Sequence, residues 1–285
     1  RNIAAGRLHF TTDFSAMADA DVHFVCVGTP QAAGSLAADT RYVDSAIEEV
    51  ARYAKAGSVV AGKSTVPVGT AARLQAKLHE LSAHGIELAW NPEFLREGFA
   101  VEDTLHPDRI VLGVTHTDDV KILEAIYSEA LAELTPLIVT DYATAELVKV
   151  AANAFLATKI SFINSFADLA DKVGADVATL ADAIGHDTRI GRRFLNAGIG
   201  FGGGCLPKDI RALQARATEL GLTEQFEFLK NVDAVNQSRR THVVELARES
   251  LGELAGKTIT VLGAAFKPDS DDIRDSPALD IALAL

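Results

Sequence analysis

The chain has 285 residues, a formal net charge of −12 at pH 7, 48% apolar residues and 23% charged residues. This composition is typical of a soluble globular protein of one large domain or several, and the acidic balance argues against a nucleic-acid or anionic-membrane surface. No apolar run reaches the ~18 residues of a membrane span, and no signal peptide is apparent. The cysteines Cys26 and Cys205 match neither a disulfide framework nor a zinc pattern. We therefore expect a reducing, cytoplasmic location and no metal.

Apolar runs and amphipathic segments alternate along the first half of the chain. Strands are predicted at 21–28, 58–64, 86–90, 110–114 and 137–139, and helices at 42–56, 70–84 and 118–133. This alternation predicts an α/β fold with a doubly wound parallel sheet. Ligands bind at the carboxyl ends of the strands in such sheets, so the residues that follow each strand are candidates for a site.

Three of the predicted strands end in polar or turn residues. Thr29-Pro30 follows the first strand. The second runs into Lys63-Ser64-Thr65-Val66-Pro67-Val68-Gly69-Thr70, which either holds a polar ligand or forms only a turn and a helix N-cap. The third ends in Asn91-Pro92-Glu93-Phe94-Leu95-Arg96-Glu97-Gly98. If that segment is helical, Glu93 and Glu97 share one face of the helix. The two carboxylates then either take part in acid–base chemistry or form an ordinary solvent-exposed face.

A long helix, apolar on nearly all sides, is predicted over residues 143–173. Such a helix lies in a core or between subunits. Lys149 and Asn153 interrupt its apolar surface one turn apart on the same face. Because an unpaired buried charge is costly, Lys149 either has a buried partner in a polar site or extends its ammonium group to the surface.

The glycine-rich run Gly198-Ile199-Gly200-Phe201-Gly202-Gly203-Gly204-Cys205-Leu206-Pro207-Lys208-Asp209 leads into another predicted helix. Cys205 then lies just ahead of a helix N-terminus, where the dipole, the backbone N–H groups and Lys208 favour a thiolate. The glycines leave room for a ligand beside the sulfur. The alternative is a buried cysteine that only fills space. The spacing of three of the glycines matches a dinucleotide fingerprint, but no buried strand precedes it, so we reject that interpretation.

The remainder of the chain is predicted to be helical and then to return to an α/β pattern. Residues 175–242 show no strand pattern, and a second long helix is predicted at 226–251. A buried strand at 258–263 and a helix at 277–285 then begin a second α/β domain. One such unit is too small to fold alone, and the chain begins with Arg1 instead of Met, so we expect a fragment of a longer protein.

Seven motifs of this sequence occur in the order typical of one family: Thr29-Pro30, 63–70, 91–98, His106-Pro107-Asp108-Arg109, 149–156, 200–209 and 266–277. The chain thereby resembles the UDP-glucose 6-dehydrogenase family of nucleotide-sugar dehydrogenases. The resemblance implies an NAD-binding domain at 1–140 that lacks its opening βα unit, a helical dimerisation and catalytic domain at 141–255, and the truncated start of a UDP-sugar domain at 256–285. The motif at His106 is more similar to the UDP-glucose branch than to the GDP-mannose branch.

The resemblance also implies the chemistry, which the residues fit. Oxidation of UDP-glucose to UDP-glucuronate removes four electrons, so the intermediate aldehyde must be held between two hydride transfers to NAD. A thiolate can hold it as a thiohemiacetal and then as a thioester that water cleaves. Cys205 is the candidate nucleophile, and Lys149 and Asn153 are candidates to stabilise the oxyanion. Asp209 and Glu93 are candidates for proton transfer, and Thr65 is a candidate to position water.

Further contacts follow from the resemblance alone. The residues implied to contact NAD are Thr29, Thr65, Glu97, Lys208 and Arg274. The residues implied to line the substrate site are Phe94, Leu95, Lys149, Phe194, Leu195, Asn196, Ala197, Gly198, Gly202 and Lys267, with Arg189 reaching into a partner subunit's site. Two positions depart from the family pattern, since Gly204 replaces a common serine and Asn196 replaces a lysine that often contacts substrate.

Three other functions compete with this interpretation. A GDP-mannose dehydrogenase would use the same chemistry on a different base and sugar. A second alternative is that this chain, taken alone, is a dimerising core without catalytic activity. A cysteine hydrolase would need a base beside Cys205, and none of the 8 histidines has a neighbourhood that suggests one.

Overall fold

The computed structural model describes residues 1–82, 84–116 and 118–285. The chain divides into two compact units, one formed by residues 1–30 and 39–149 and the other by residues 31–38 and 150–285. Each unit contains apolar cores of its own.

The first unit is built from alternating strands and helices. In chain order these are β1 (Val22–Val25), α1 (Arg41–Tyr53), β2 (Val59–Gly62), α2 (Thr70–Leu81), β3 (Glu87–Trp90), α3 (Ala100–Leu105), β4 (Ile110–Gly113), α4 (Asp118–Ile126), α5 (Ser128–Ala132) and β5 (Leu137–Thr140). The predicted helix at 118–133 is interrupted at Tyr127, which is the N-cap of α5. The predicted end of α2 includes Ala83, which lies outside the described residues.

The strands form one mixed sheet in the order β1-β2-β3-β4-β5. β1, β2 and β3 are parallel to one another, and β4 is parallel to β5. β3 and β4 instead pair antiparallel through Trp90 and Gly113. The α/β fold is therefore confirmed, but a sheet parallel throughout is wrong. A parallel return needs a long crossover, usually helical, whereas α3 between these strands has only 6 residues.

Apolar side chains cover both faces of the sheet. One core combines α1 and α2, through residues such as Ile47 and Leu74, with Trp90 of β3. The other combines β2, β3 and β4 with Leu123 of α4. Cys26, predicted to lie inside a buried strand, is exposed just after β1. Phe24, two residues earlier and therefore on the same side of the strand, is also exposed, so this side of the edge strand β1 is left uncovered among the described residues.

The second unit is helical. Its elements are α6 (Tyr142–Val173), which begins in the first unit, α7 (Val177–Gly185), α8 (Leu206–Glu219), α9 (Glu227–Leu251) and α10 (Pro277–Ala284). Both predicted long helices are confirmed to within one residue at each end. Their apolar contacts include Ile210 of α8 against Leu229 of α9.

The predicted strand at 258–263 does not form. This segment has neither helix nor strand, and Val261 and Leu262 are exposed. An apolar run becomes a strand only when its backbone groups pair with a neighbour, and none of the strands in the described residues pairs with this one.

Two general features of the described residues bear on function. None of their helices is long and apolar enough to cross a membrane. No group of three or more His, Cys, Asp or Glu side chains among them is arranged to hold a metal ion.

Candidate active site

Lys149 is buried on α6, with 5% of its surface exposed, and has a carboxylate partner. Its Nζ donates to Oε1 of Glu93 at 2.9 Å. The other carboxylate oxygen of Glu93 accepts from the backbone N–H of Leu95 at 2.6 Å. The buried-partner interpretation of Lys149 is therefore correct and extension to the surface is wrong. The pair can shuttle or stabilise charge because both groups are held in place.

The segment that carries Glu93 is not helical, so Glu93 and Glu97 do not share a helix face. Pro92 disfavours the helical conformation of the residue before it, which explains the extended start of this segment. Next in the chain, Phe94 lies under the guanidinium of Arg109, whose Cζ is 3.8 Å from the ring centroid. Arg109 belongs to a motif that carried the family resemblance, but its stacking on Phe94 was not predicted.

A second polar cluster in the first unit joins two of the predicted strand ends to Tyr127, a residue that the sequence analysis did not name. The side-chain oxygen of Asn91 accepts from Lys63 Nζ at 3.0 Å and from the Tyr127 hydroxyl at 2.5 Å, and its amide donates to Val111 O at 3.0 Å. Burial lowers the pKa of Lys63 and raises the pKa of Tyr127 to about 12. Lys63 and Asn91 each follow a strand directly, which was the available signal. The cluster ties the ends of β2 and β3 to the junction of α4 and α5.

The turn after β2 is held by hydroxyls and by one buried carboxylate. Thr29 Oγ1 donates to the backbone oxygen of Thr65 at 2.7 Å, which joins the ends of β1 and β2. Glu146 of α6 accepts from the backbone N–H groups of Gly69 and Ala71, both at 2.7 Å. It thereby satisfies N–H groups at the start of α2. The alternative interpretation of residues 63–70, a turn followed by a helix N-cap, therefore accounts for much of this segment. The capping carboxylate comes from Glu146 on a helix far away in the chain.

An apolar cleft of about 440 Å³ opens beside the carboxyl end of β1. Its lining includes Val27, Gly28, Pro30 and Tyr42. A Cβ at Gly28 would meet nothing within 4 Å, so the glycine leaves open space in this wall. Apolar clefts of this size are typical of small-molecule sites.

In the second unit Cys205 is the N-cap residue of α8 and is exposed. The space-filling interpretation of this cysteine is therefore wrong. One turn later, the buried carboxylate of Asp209 accepts from Asn153 Nδ2 and from Lys208 Nζ, both at 2.6 Å. The sequence named all four residues, and the structure brings Asn153, Lys208 and Asp209 into one hydrogen-bonded group next to the start of α8.

The glycines before Cys205 make room for another part of the chain, and this corrects the prediction that they clear space for a ligand. A Cβ on Gly202 would overlap the carbonyl oxygen of Asp275. A Cβ on Gly203 would lie 2.7 Å from the Phe266 ring, and one on Gly204 would lie 2.5 Å from the Arg274 guanidinium. The backbone N–H of Gly203 also donates to Arg274 O at 2.8 Å. Segment 266–277 is thus packed against the residues that carry the thiol.

The other predicted substrate residues of the second unit have diverse environments. Leu195 is buried in an apolar cluster with Ile163 and Ala181, so its side chain belongs to the core and only its backbone groups are left to contact a substrate. Asn196 accepts from Arg192 Nη1 at 2.8 Å. Arg189 is exposed and pairs with Asp187 at 2.6 Å.

Models of two domains of one family match this chain. The NAD-binding domain of the UDP-glucose/GDP-mannose dehydrogenase family matches residues 1–131, and the central domain of the same family matches residues 143–238. The chain belongs to the UDP-glucose/GDP-mannose dehydrogenase family. The Lys63 cluster and the apolar cleft fall within the NAD-binding match of this family, and Cys205 and Asp209 fall within the central match.

Individual members of the UDP-glucose/GDP-mannose dehydrogenase family are similar along nearly the whole chain. The UDP-glucose 6-dehydrogenase TuaD of Bacillus subtilis is 43% identical over 99% of this chain and 60% of its own length. A UDP-glucose 6-dehydrogenase of Rhizobium meliloti is 44% identical over 100% of this chain and 66% of its own length. The structure of a UDP-glucose dehydrogenase from Pyrobaculum islandicum superposes with a TM-score of 0.91 at 41% identity, over 99% of this chain and 65% of that one. The chain therefore spans 60–66% of the length of these relatives.

Proposed function

We propose that the protein containing this chain oxidises UDP-glucose to UDP-glucuronate with NAD as the electron acceptor. The observation that carries the proposal is the exposed thiol of Cys205 at the start of α8, with the buried carboxylate of Asp209, bonded to Asn153 and Lys208, one turn further on. The names of the similar proteins support UDP-glucose as the substrate.

The first unit fits NAD as cofactor. The apolar cleft beside β1 offers walls for a ring of the dinucleotide, with Val27, Gly28 and Tyr42 among its residues. When bound, NAD supplies the hydride acceptor for both oxidations. Of the predicted contacts, Thr29 and Thr65 are linked to each other at the ends of β1 and β2. Glu97, Lys208 and Arg274 remain proposed contacts.

Cys205 supplies the covalent step. Its thiolate attacks the carbon of the aldehyde, and the carbonyl oxygen takes a proton to give a thiohemiacetal. Loss of a hydride and that proton gives a thioester. Water then adds to the thioester, and the carbon–sulfur bond breaks, which releases the carboxylate and restores the thiolate. Because Cys205 lies at a helix N-terminus, the helix dipole favours its thiolate.

Four hydrogen-bonded polar groups supply charge stabilisation and proton transfer. We propose that the amide of Asn153 and the ammonium group of Lys149 stabilise the negative charge that develops on the substrate oxygen. Asp209 and Glu93 each hold a carboxylate in a fixed hydrogen-bonded position, as a proton acceptor requires. Thr65 is assigned to the attacking water.

The test is an assay of the full-length protein with NAD and a panel of nucleotide sugars. We expect UDP-glucose to give two NADH for each uronate, with little NADH from GDP-mannose. Preference for GDP-mannose would assign the chain to the other branch of the family. Absence of NADH formation from every sugar, in a protein that binds NAD, would contradict the oxidation itself.

We also infer that the protein is a homodimer or a larger homo-oligomer that assembles on α6. Phe155, Phe162 and Leu169 lie at intervals of seven residues and are 64%, 47% and 55% exposed. Residues seven apart share one side of a helix, so these side chains form an apolar stripe on the surface of this chain. Phe166 is half-buried, with its ring centroid 4.7 Å from that of Phe162. A second copy of α6 is the proposed cover for the stripe, and Arg189 is proposed to reach the partner's site.

Sedimentation of the full-length protein checks the assembly. We expect a dimer or larger species at micromolar concentration, and a monomer with unchanged helix content for the double variant Phe155→Glu/Phe162→Glu, because two carboxylates cannot be desolvated in an apolar interface. Exposed Lys172→Glu on the same helix is the control and should remain associated. A wild-type monomer would contradict the inference.

The predicted division into domains and the predicted location remain part of this proposal. The family matches at 1–131 and 143–238 support an NAD-binding domain at 1–140 and a central domain at 141–255. Residues 256–285 are proposed to begin the UDP-sugar domain, which would include Lys267. We place the protein in the cytoplasm, where reducing conditions keep the sulfur of Cys205 in its reduced form.

A further inference from the structure

We propose that Asn164, Asn236 and Arg239 are positioning residues that hold the backbone of the glycine loop, residues 198–204, and thereby fix Cys205 at the start of α8. The inference rests on the proposed role of Cys205 as nucleophile. None of the three residues is part of the family motifs noted in the sequence.

Asn236 of α9 holds Phe201 by both of its backbone groups. Its Oδ1 accepts from Phe201 N at 2.7 Å, and its Nδ2 donates to Phe201 O at 2.9 Å. Asn236 is fully buried. A Cβ at Gly200, whose φ is +96°, would lie 2.5 Å from Asn236 Oδ1. The close approach of this side chain therefore requires the glycine.

Arg239 and Asn164 hold Gly198 in the same way. Arg239 Nε donates to Gly198 O at 3.1 Å, and the Oδ1 of Asn164, on α6, accepts from Gly198 N at 2.8 Å. The other end of the guanidinium pairs with Asp168, also on α6. Both Arg239 and Asn164 are buried. Side chains of α6 and α9 thus form hydrogen bonds with backbone groups of the loop. In a β-sheet such backbone groups would pair with a neighbouring strand.

These contacts matter because a glycine-rich backbone has many accessible conformations. Phe201 is four residues before Cys205, so fixing its N–H and carbonyl limits where the sulfur can lie relative to the first N–H groups of α8. A thiolate gains from those groups only when it stays beside them. Covalent attack also requires the sulfur within a narrow range of the substrate carbon.

Ser161→Ala is a matched control for the loss of a buried hydrogen bond. Ser161 is buried on α6 and donates to Val232 O of α9 at 2.8 Å, so its hydrogen bond links the same two helices and goes to a residue outside the glycine loop. Asp168→Asn is a second control, because it removes the charge partner of Arg239 and leaves the Arg239 bond to Gly198 O in place.

The experiment compares Asn236→Ala and Arg239→Ala with both controls in the full-length protein. Four quantities are measured: kcat with UDP-glucose, KM for NAD, the rate of Cys205 alkylation by iodoacetamide as a function of pH, and Tm. We expect kcat to fall roughly tenfold or more and alkylation at pH 7 to slow about threefold or more, with its pH midpoint moved upward. KM for NAD should stay unchanged, and Arg239→Lys should recover part of the loss. Both controls should retain kcat and the alkylation rate, even where Tm falls by the same amount.

Two results separate this inference from the proposed function. If Asn236→Ala and Arg239→Ala match Ser161→Ala in kcat and alkylation at equal loss of Tm, the positioning role is overturned. If wild type does not oxidise UDP-glucose but the variants still slow the alkylation of Cys205, the proposed function fails and the positioning role stands. Should Asn236→Ala fail to fold, Asn236→Asp provides the same test, because it keeps the acceptor for Phe201 N and loses the donor to Phe201 O.

Discussion

Replacing Cys205 by serine should reduce the release of free uronate from UDP-glucose by a factor of about 1,000 or more, because a hydroxyl at neutral pH is a far weaker nucleophile than a thiolate. The structure places the side chain at the exposed start of α8, where it can reach a bound molecule. Quantification of uronate by mass spectrometry measures the loss. The serine enzyme is also expected to accumulate an ester-linked sugar, seen as added mass on the peptide that contains position 205.

Cys26→Ser is the matched control, since both cysteines of the chain are exposed. It should retain full activity, because Cys26 lies after the edge strand β1 and takes no part in the proposed chemistry. Iodoacetamide should react with both thiols, but only Cys205 should be protected by UDP-glucose. Undiminished uronate production by Cys205→Ala would contradict the covalent mechanism.

Lys149→Ala should lower kcat by a factor of about 100–1,000 and leave KM for UDP-glucose within a few-fold of wild type. The reason is that charge on the substrate oxygen develops only in the transition state, so the ammonium group contributes most there. Lys149→Met should behave in the same way, since it keeps most of the apolar stem and removes the ammonium group. Steady-state kinetics at saturating NAD provides the measurement.

Stability must be measured beside activity, because Lys149 also pairs with Glu93. The side chain of Glu93 is partly exposed, so its carboxylate can be solvated when the lysine is lost, and we expect both variants to fold. Lys172→Met, an exposed position on the same helix, should change neither kcat nor Tm. A Lys149→Met enzyme with wild-type kcat and lowered Tm would assign Lys149 to structure alone.

Features that depend on residues close together in the chain were predictable before the structure was known. Hydrophobic periodicity located α6 and α9. The glycine run, Pro207 and the apolar repeat that follows them placed the start of α8 directly after Cys205. The order of motifs identified the family. The requirement that a buried ammonium group be paired predicted a partner for Lys149, although it did not say which residue that partner would be.

Contacts between residues far apart in the chain were visible in the folded structure alone. Lys149 and Glu93 are 56 residues apart, as are Asn153 and Asp209, and Asn236 is 35 residues from Phe201. Such contacts depend on which helices and strands pack together. The spacing of residues within one element predicts its faces but does not identify its neighbours. The same reason explains the predictions that were wrong. The direction of β4, the missing strand at 258–263 and the exposure of Cys26 each depend on a neighbouring strand. The burial of Leu195 and the packing of segment 266–277 on the glycine loop depend on segments far away in the chain.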